Sequence, residues 1–67
     1  MIQLSVNGQM RRLEPGANVA QLLDALELTG KRVAVEKNGE IVPRGRYAAT
    51  RLADGDALEI VVAVGGG

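Results

Sequence analysis

Sixty-seven residues, 46% of them apolar, suffice for one small folded domain whose core is thin, because a chain this short buries only about 60% of its unfolded surface. Neither cysteine nor histidine occurs, which excludes disulfides, cysteine-based metal sites and the commonest general base. Eight basic residues balance eight acidic ones and Tyr47 is the sole aromatic, so the chain offers nucleic acid neither a basic field nor a stacking platform.

Ile2, Leu4 and Val6 alternate with Gln3 and Ser5, the period-two pattern of a strand with one buried face. Asn7-Gly8 is a hairpin turn, since both positions tolerate positive φ, and Gln9 to Leu13 returns as a second strand. Glu14-Pro15-Gly16 ends that strand. Asn18 is positioned to cap a helix, with Gln21 three residues on to complete a capping box. Val19, Leu22, Leu23 and Leu26 then fall on one stripe. The helix is expected over about 18–28, with Gly30 as the left-handed residue just past its end.

Val33, Ala34 and Val35 read as a third strand. Asn38-Gly39 is a second hairpin signal before Glu40-Ile41-Val42, and Pro43 ends that strand or confines it to an edge. Residues 44–53 have no clean period and suggest an irregular or single-turn crossover. After a tight turn at Asp54-Gly55-Asp56, Leu58, Ile60, Val62 and Val64 alternate with Glu59, Val61 and Ala63 to give the longest strand.

One amphipathic helix must cover one face of a sheet, since neither layer can bury its apolar face alone. A long aliphatic last strand belongs in the middle, beside the first. The expected fold is therefore α+β in the β-grasp layout, a mixed sheet of four or five strands crossed by one helix, over residues 1–64, with a flexible tail at 65–67. The amino terminus lacks the basic start and apolar segment of a signal peptide. No run approaches the roughly 20 apolar residues of a membrane span, so a soluble cytoplasmic protein is expected.

The stretches "KNGEIVPR" (37–44) and "RLADGDALEIV" (51–61), with "GGG" at 65–67, resemble the ThiS family of thiamine-biosynthesis sulfur carriers over the whole chain. Lys37, where an apolar or small residue is common, and Gly45, in a variable region, are departures away from the tail. The small subunit of molybdopterin synthase shares the fold and tail but lacks the "NGEIVPR" stretch. The resemblance implies that the Gly67 carboxylate is adenylated by an ATP-dependent enzyme of the ubiquitin-activating type. Sulfur, ultimately from cysteine through a cysteine desulfurase, then converts it to a thiocarboxylate for thiazole synthase to consume.

The residues agree with a substrate and carrier more than with a catalyst. No phosphate loop is present, since Gly30-Lys31 lacks the earlier glycine and the following Ser or Thr. The chain is thus expected to hold no permanent cofactor, ATP being used by the partner. Gly65 and Gly66 carry no Cβ, so they suit a tail threaded through a narrow tunnel to deliver Gly67, although terminal glycines are often simply disordered. Val61 and Ala63 should face outward and form a docking patch, with Asp54, Asp56 and Glu59 aiding encounter with a basic partner. Single exposed valines need no explanation, however, and carboxylates at a Gly turn are usually just a turn rather than a cation site. A ubiquitin-like modifier joined to lysines of other proteins would use the same tail. A β-grasp module that binds RNA or regulates a larger enzyme would not need it.

Overall fold

The computed structural model describes residues 1–63, and its elements follow from local signals along the chain. Strands β1 (Ile2–Val6) and β2 (Gln9–Leu13) are joined through Asn7 and Gly8, with φ of 52° and 83°. Strands β3 (Val33–Lys37) and β4 (Glu40–Val42) are joined through Asn38 and Gly39, with φ of 53° and 84°. Both hairpins thus place two successive residues in the left-handed region, where the turn's twist matches that of the strands. Pro43 follows β4 directly and confines it to an edge, as expected.

The helix α1 spans Val19–Ala25, shorter than the pattern suggests. Its amino-terminal N–H groups are fully accounted for. Val19 donates to the Thr50 carbonyl and Ala20 to that of Tyr47, while Gln21 donates to Asn18 Oδ1 and Leu22 to the Asn18 carbonyl. The Gln21 side chain accepts in return from the Asn18 N–H at 2.9 Å, completing the capping box. The segment after β4, which holds a 3₁₀ turn at Arg44–Arg46, therefore serves as the helix's start plate.

The helix stops through a different residue from the one expected. Glu27, at φ 60°, is the left-handed residue, donating to Asp24 O while Leu28 donates to Leu23 O at 2.8 Å. These two bonds make a Schellman motif, closed by Leu28 and Leu23 lining one groove. Gly30, at φ 84°, belongs instead to the next turn, where Lys31 donates to Leu28 O. The apolar stripe hid this end: Leu26 and Leu28 both pack against the core, so periodicity continues past the helix itself.

Strand β5 (Ala57–Val62) lies at the centre of a five-stranded sheet in the order β2-β1-β5-β3-β4. It pairs parallel with β1 and antiparallel with β3, so the sheet is mixed. One face carries Leu4, Val6, Val35, Val42, Leu58 and Ile60 against Val19, Leu22 and Leu23 of α1. This is the α+β, β-grasp architecture. Val62 is 37% exposed, so the buried run on β5 thins at its carboxyl end. Val64, expected to continue that run, lies outside the described residues, as does the boundary between domain and tail. Leu52 and Ala17 join the buried set, linked by a Leu52 N–H to Ala17 O bond of 2.8 Å. No described helix is long and apolar enough to cross a membrane.

Candidate functional site

The strand leading towards Gly65–Gly67 is held from both sides. On the β1 side, the turn residue Asn7 donates its backbone N–H to Leu58 O at 2.9 Å. Its side-chain amide then accepts from Ile60 N–H at 2.8 Å and donates to Ile60 O at 3.0 Å. A primary amide presents the donor and acceptor of a peptide unit, so Asn7 extends the parallel ladder beyond the point where β1 turns away. On the β3 side, Val33↔Val62 through Lys37↔Leu58 pair continuously. Asn38 extends that ladder in turn, donating its N–H to Ala57 O while its Oδ1 accepts from Ala57 N–H. Past the strand, the Ala63 N–H donates to Arg32 O at 2.9 Å. Both hairpin asparagines thus have a second role that turn propensity alone did not signal.

The register sorts the expected docking residues. On the face away from α1, Val61 lies opposite Ala34, and Glu36 lies opposite both Glu59 and Ile41. Ser5, between Ala57 and Met10, continues that face across the sheet. Val61 is 65% exposed and Ile41 75% exposed, and Ala63 is also exposed, so Val61 and Ala63 stand outward as expected. Ala34, Ile41 and Met10 extend the apolar surface. They fall on three strands, and only the register brings them onto Val61's face. Like charges directly opposite across strands cost stability, and Glu36 with Glu59 form such a pair.

Asp54 and Asp56 sit before the start of β5, away from Val61 and Ala63. Asp54 is exposed and accepts the Gln3 N–H through Oδ1 at 2.7 Å. Asp56 is only 9% exposed, and both of its oxygens are in use. Oδ1 accepts from Asn38 Nδ2 at 2.9 Å and Oδ2 from the Ala53 N–H at 2.8 Å. Of the three acidic residues expected to aid encounter, Asp56 is thus built into the turn, leaving Asp54 and Glu59 on the surface.

Burial by itself would raise the Asp56 carboxyl, but the Asn38 and Ala53 hydrogen bonds and the nearby Lys37 charge outweigh it and hold it below its ordinary value of 3.8. A carboxyl lowered in the fold stabilises the native state above its unfolded pKa, and that contribution is lost as pH falls through the folded value. Urea midpoints should therefore drop as pH falls below about 4. Asp56→Asn should cost about 1–3 kcal/mol at neutral pH, because one amide N–H must then face a donor. Its deficit should shrink at acid pH. A variant that retains the full wild-type acid slope would show that Asp56 is not the group responsible.

Gly65, Gly66 and Gly67, expected to thread and react, lie outside the described residues. Among the described residues no group of three His, Cys, Asp or Glu side chains converges to hold a metal. The ThiS family model matches residues 4–67. The chain is 39% identical over 67 residues to the sulfur carrier protein ThiS of Bacillus subtilis, covering the full length of both. It is 44% identical over 66 residues to the thiazole synthase of Paramagnetospirillum magneticum, a match spanning 98% of this chain but 20% of that protein. The crystal structure of the thiamine biosynthesis protein ThiS from Geobacter metallireducens superposes with a TM-score of 0.82 at 39% identity, covering 98% of this chain and all of that one.

Proposed function

The chain belongs to the ThiS family, the sulfur carriers of thiamine biosynthesis, and we propose that its Gly67 carboxylate is the group that carries sulfur. A carboxylate is a poor electrophile, because its charge repels nucleophiles and oxide is a poor leaving group. Adenylation by a ubiquitin-activating-type enzyme solves both problems. A Gly67 carboxylate oxygen bonds to the α-phosphorus of ATP and pyrophosphate departs. A sulfur nucleophile of the relay, supplied ultimately by a cysteine desulfurase, then attacks the acyl carbon and AMP departs. That nucleophile is the outer sulfur of a relay persulfide, so a second thiol then attacks the inner sulfur, leaving a disulfide on the relay and freeing the thiocarboxylate for thiazole synthase. In this reading ATP is the partner's substrate, the chain holds no cofactor of its own, and the exchange takes place in the cytoplasm.

The observation that carries the reading is the clamped central strand. Because β5 is bonded to β1 and Asn7 up to Ile60 and to β3 up to Val62, with Asn38 at its start, and Ala63 still bonds to Arg32, the described chain is held in place as far as Ala63. A partner that grips the sheet therefore meets the chain at a defined point two residues before Gly65. The open face around Ala34, Ile41 and Val61 is the grip, with Ala63 at its edge. The Glu36–Glu59 pair, and Asp54 more remotely, would meet basic groups of that partner, relieving the repulsion within the pair.

Intact-mass analysis of the chain from its native cells tests the function. A free chain in which sulfur replaces one oxygen supports the carrier. Isopeptide conjugates to other proteins, seen on a denaturing gel, would replace it with the modifier. For the grip, Val61→Asp should raise KM for the adenylating enzyme about tenfold or more with kcat little changed, since it removes binding rather than chemistry. Its urea midpoint should stay within the small range of exposed substitutions. Normal KM in that variant would remove the open face from the interface.

A further inference from the structure

On the opposite side of the molecule from the open face, a groove of about 320 Å³ runs between the end of α1, the loop that follows it and the 3₁₀ turn. Leu23, Leu28, Val33 and Tyr47 form its apolar lining, and Lys31 and Arg44 stand at its rim, both exposed. Tyr47 is fixed there by donating its hydroxyl to Val33 O at 3.3 Å. The lining itself holds these two cations and no carboxylate, and Asp24, just outside it, accepts from the Thr29 hydroxyl at 3.4 Å.

We propose that this groove is a second protein-docking site, taking a segment of a partner that presents an apolar side chain beside a carboxylate. The chemistry is set by the lining: aliphatic and aromatic carbon to receive the side chain, and two cations to receive the acid. Small-molecule pockets enclose 70–90% or more of their ligand. Here Thr29, Gly30, Lys31 and Arg44 are all exposed, which suits a chain laid across a rim better than an enclosed metabolite.

The site's place in the fold supplies its use. Val33 points to the helix side of the sheet and pairs with Val62, so the groove adjoins the last residue of β5. From Val62 to Gly67 the chain reaches at most about 18 Å. A protein seated in the groove is thus within reach of the tail while Ala34 and Val61 remain covered by another on the far face. That the second protein acts on the tail rests on the carrier reading. Binding in the groove does not.

The test uses the whole chain and the blocked tripeptide acetyl-Leu-Asp-Leu-amide, with the Asn version as neutral control and phenyl phosphate as a small anion. Tyr47, as the sole aromatic, reports by fluorescence, and amide shifts of residues 28–33 and 44–47 locate the contact. The Asp peptide should bind at millimolar concentration or better, more weakly as salt rises, with the Asn peptide several-fold poorer. Lys31→Glu and Arg44→Glu should each weaken it about tenfold, while leaving the remaining amide spectrum and ATP–pyrophosphate exchange unchanged. Equal response to the Asp and Asn peptides, shifts elsewhere, or none at 10-fold above about 1 mM would overturn the site. Phenyl phosphate binding more tightly than the Asp peptide would overturn the protein segment in favour of a small-anion pocket. None of these outcomes touches the adenylation of Gly67, which is measured separately.

Discussion

Leu22→Ala is expected to remove about half of the domain's stability at 25 °C. Leu22 has no exposed surface, and Leu58, on the central strand and in the same core cluster, is 1% exposed. Truncating a buried Leu loses its transfer energy and leaves a cavity, together about 2–5 kcal/mol. At roughly 0.05–0.15 kcal/mol per residue, the whole domain has only about 3–10 kcal/mol to lose. A thin core whose sole aromatic neighbour is the half-buried Tyr47 offers few groups able to collapse into the gap. Leu58→Ala should behave in the same way, with Leu23→Ala and Ile60→Ala, at 4% and 6% exposure, close behind. Val61→Ala, on the open face, should shift the urea midpoint hardly at all. If Leu22→Ala and Leu58→Ala unfold at the wild-type midpoint, the helix is not packed on β5.

The same residues show which parts of the fold were legible in the sequence. The alternation at Ile2–Val6 and Leu58–Ile60 and the stripe at Val19–Leu23 are periodic because each element has one buried face, and each was found in place. The Asn-Gly pairs were legible because the backbone conformation they favour is local. What stayed hidden depends on tertiary partners. Leu52 and Ala17 have no periodic context, so only the fold makes them core. The helix ends at Ala25, closed by the left-handed Glu27, while Leu26 and Leu28 find core neighbours in the turn, which a pattern of apolar spacing cannot distinguish from another helical turn. Asn7 reaches Ile60 across 53 positions of sequence, and no local rule announces that bond. In the candidate site, the outward placement of Val61 and Ala63 followed from parity along one strand. Ala34, Ile41 and the Glu36–Glu59 pair required the register. Asp56 looks like Asp54 in sequence, yet its two oxygens are enclosed by Asn38 and Ala53.

Moving the terminal carboxylate by one residue should reduce adenylation far more than any change to the grip. Deleting Gly67, or adding one residue after it, displaces the carboxylate by up to about 3.6 Å along an extended chain. In the extended chain a peptide bond also occupies the position where AMP must attach. Reactions of positioned groups lose about 100-fold for a misplacement near 1 Å, so ATP–pyrophosphate exchange should fall by at least that factor for both variants. Gly66→Ala keeps the carboxylate in place but adds a Cβ to a segment proposed to thread a narrow tunnel, and its loss should be intermediate. All three changes lie beyond Ala63, the last described residue, which is tied to the sheet through Arg32, and urea midpoints should match the wild type. Kinetics then separate tail from grip. The tail variants lower kcat because they misplace the reacting atom, whereas Val61→Asp raises KM because it weakens docking of a correctly ended chain. If shortened and extended chains exchange pyrophosphate as fast as the chain ending at Gly67, the strand so firmly held by Asn7 and Asn38 is delivering something other than that carboxylate.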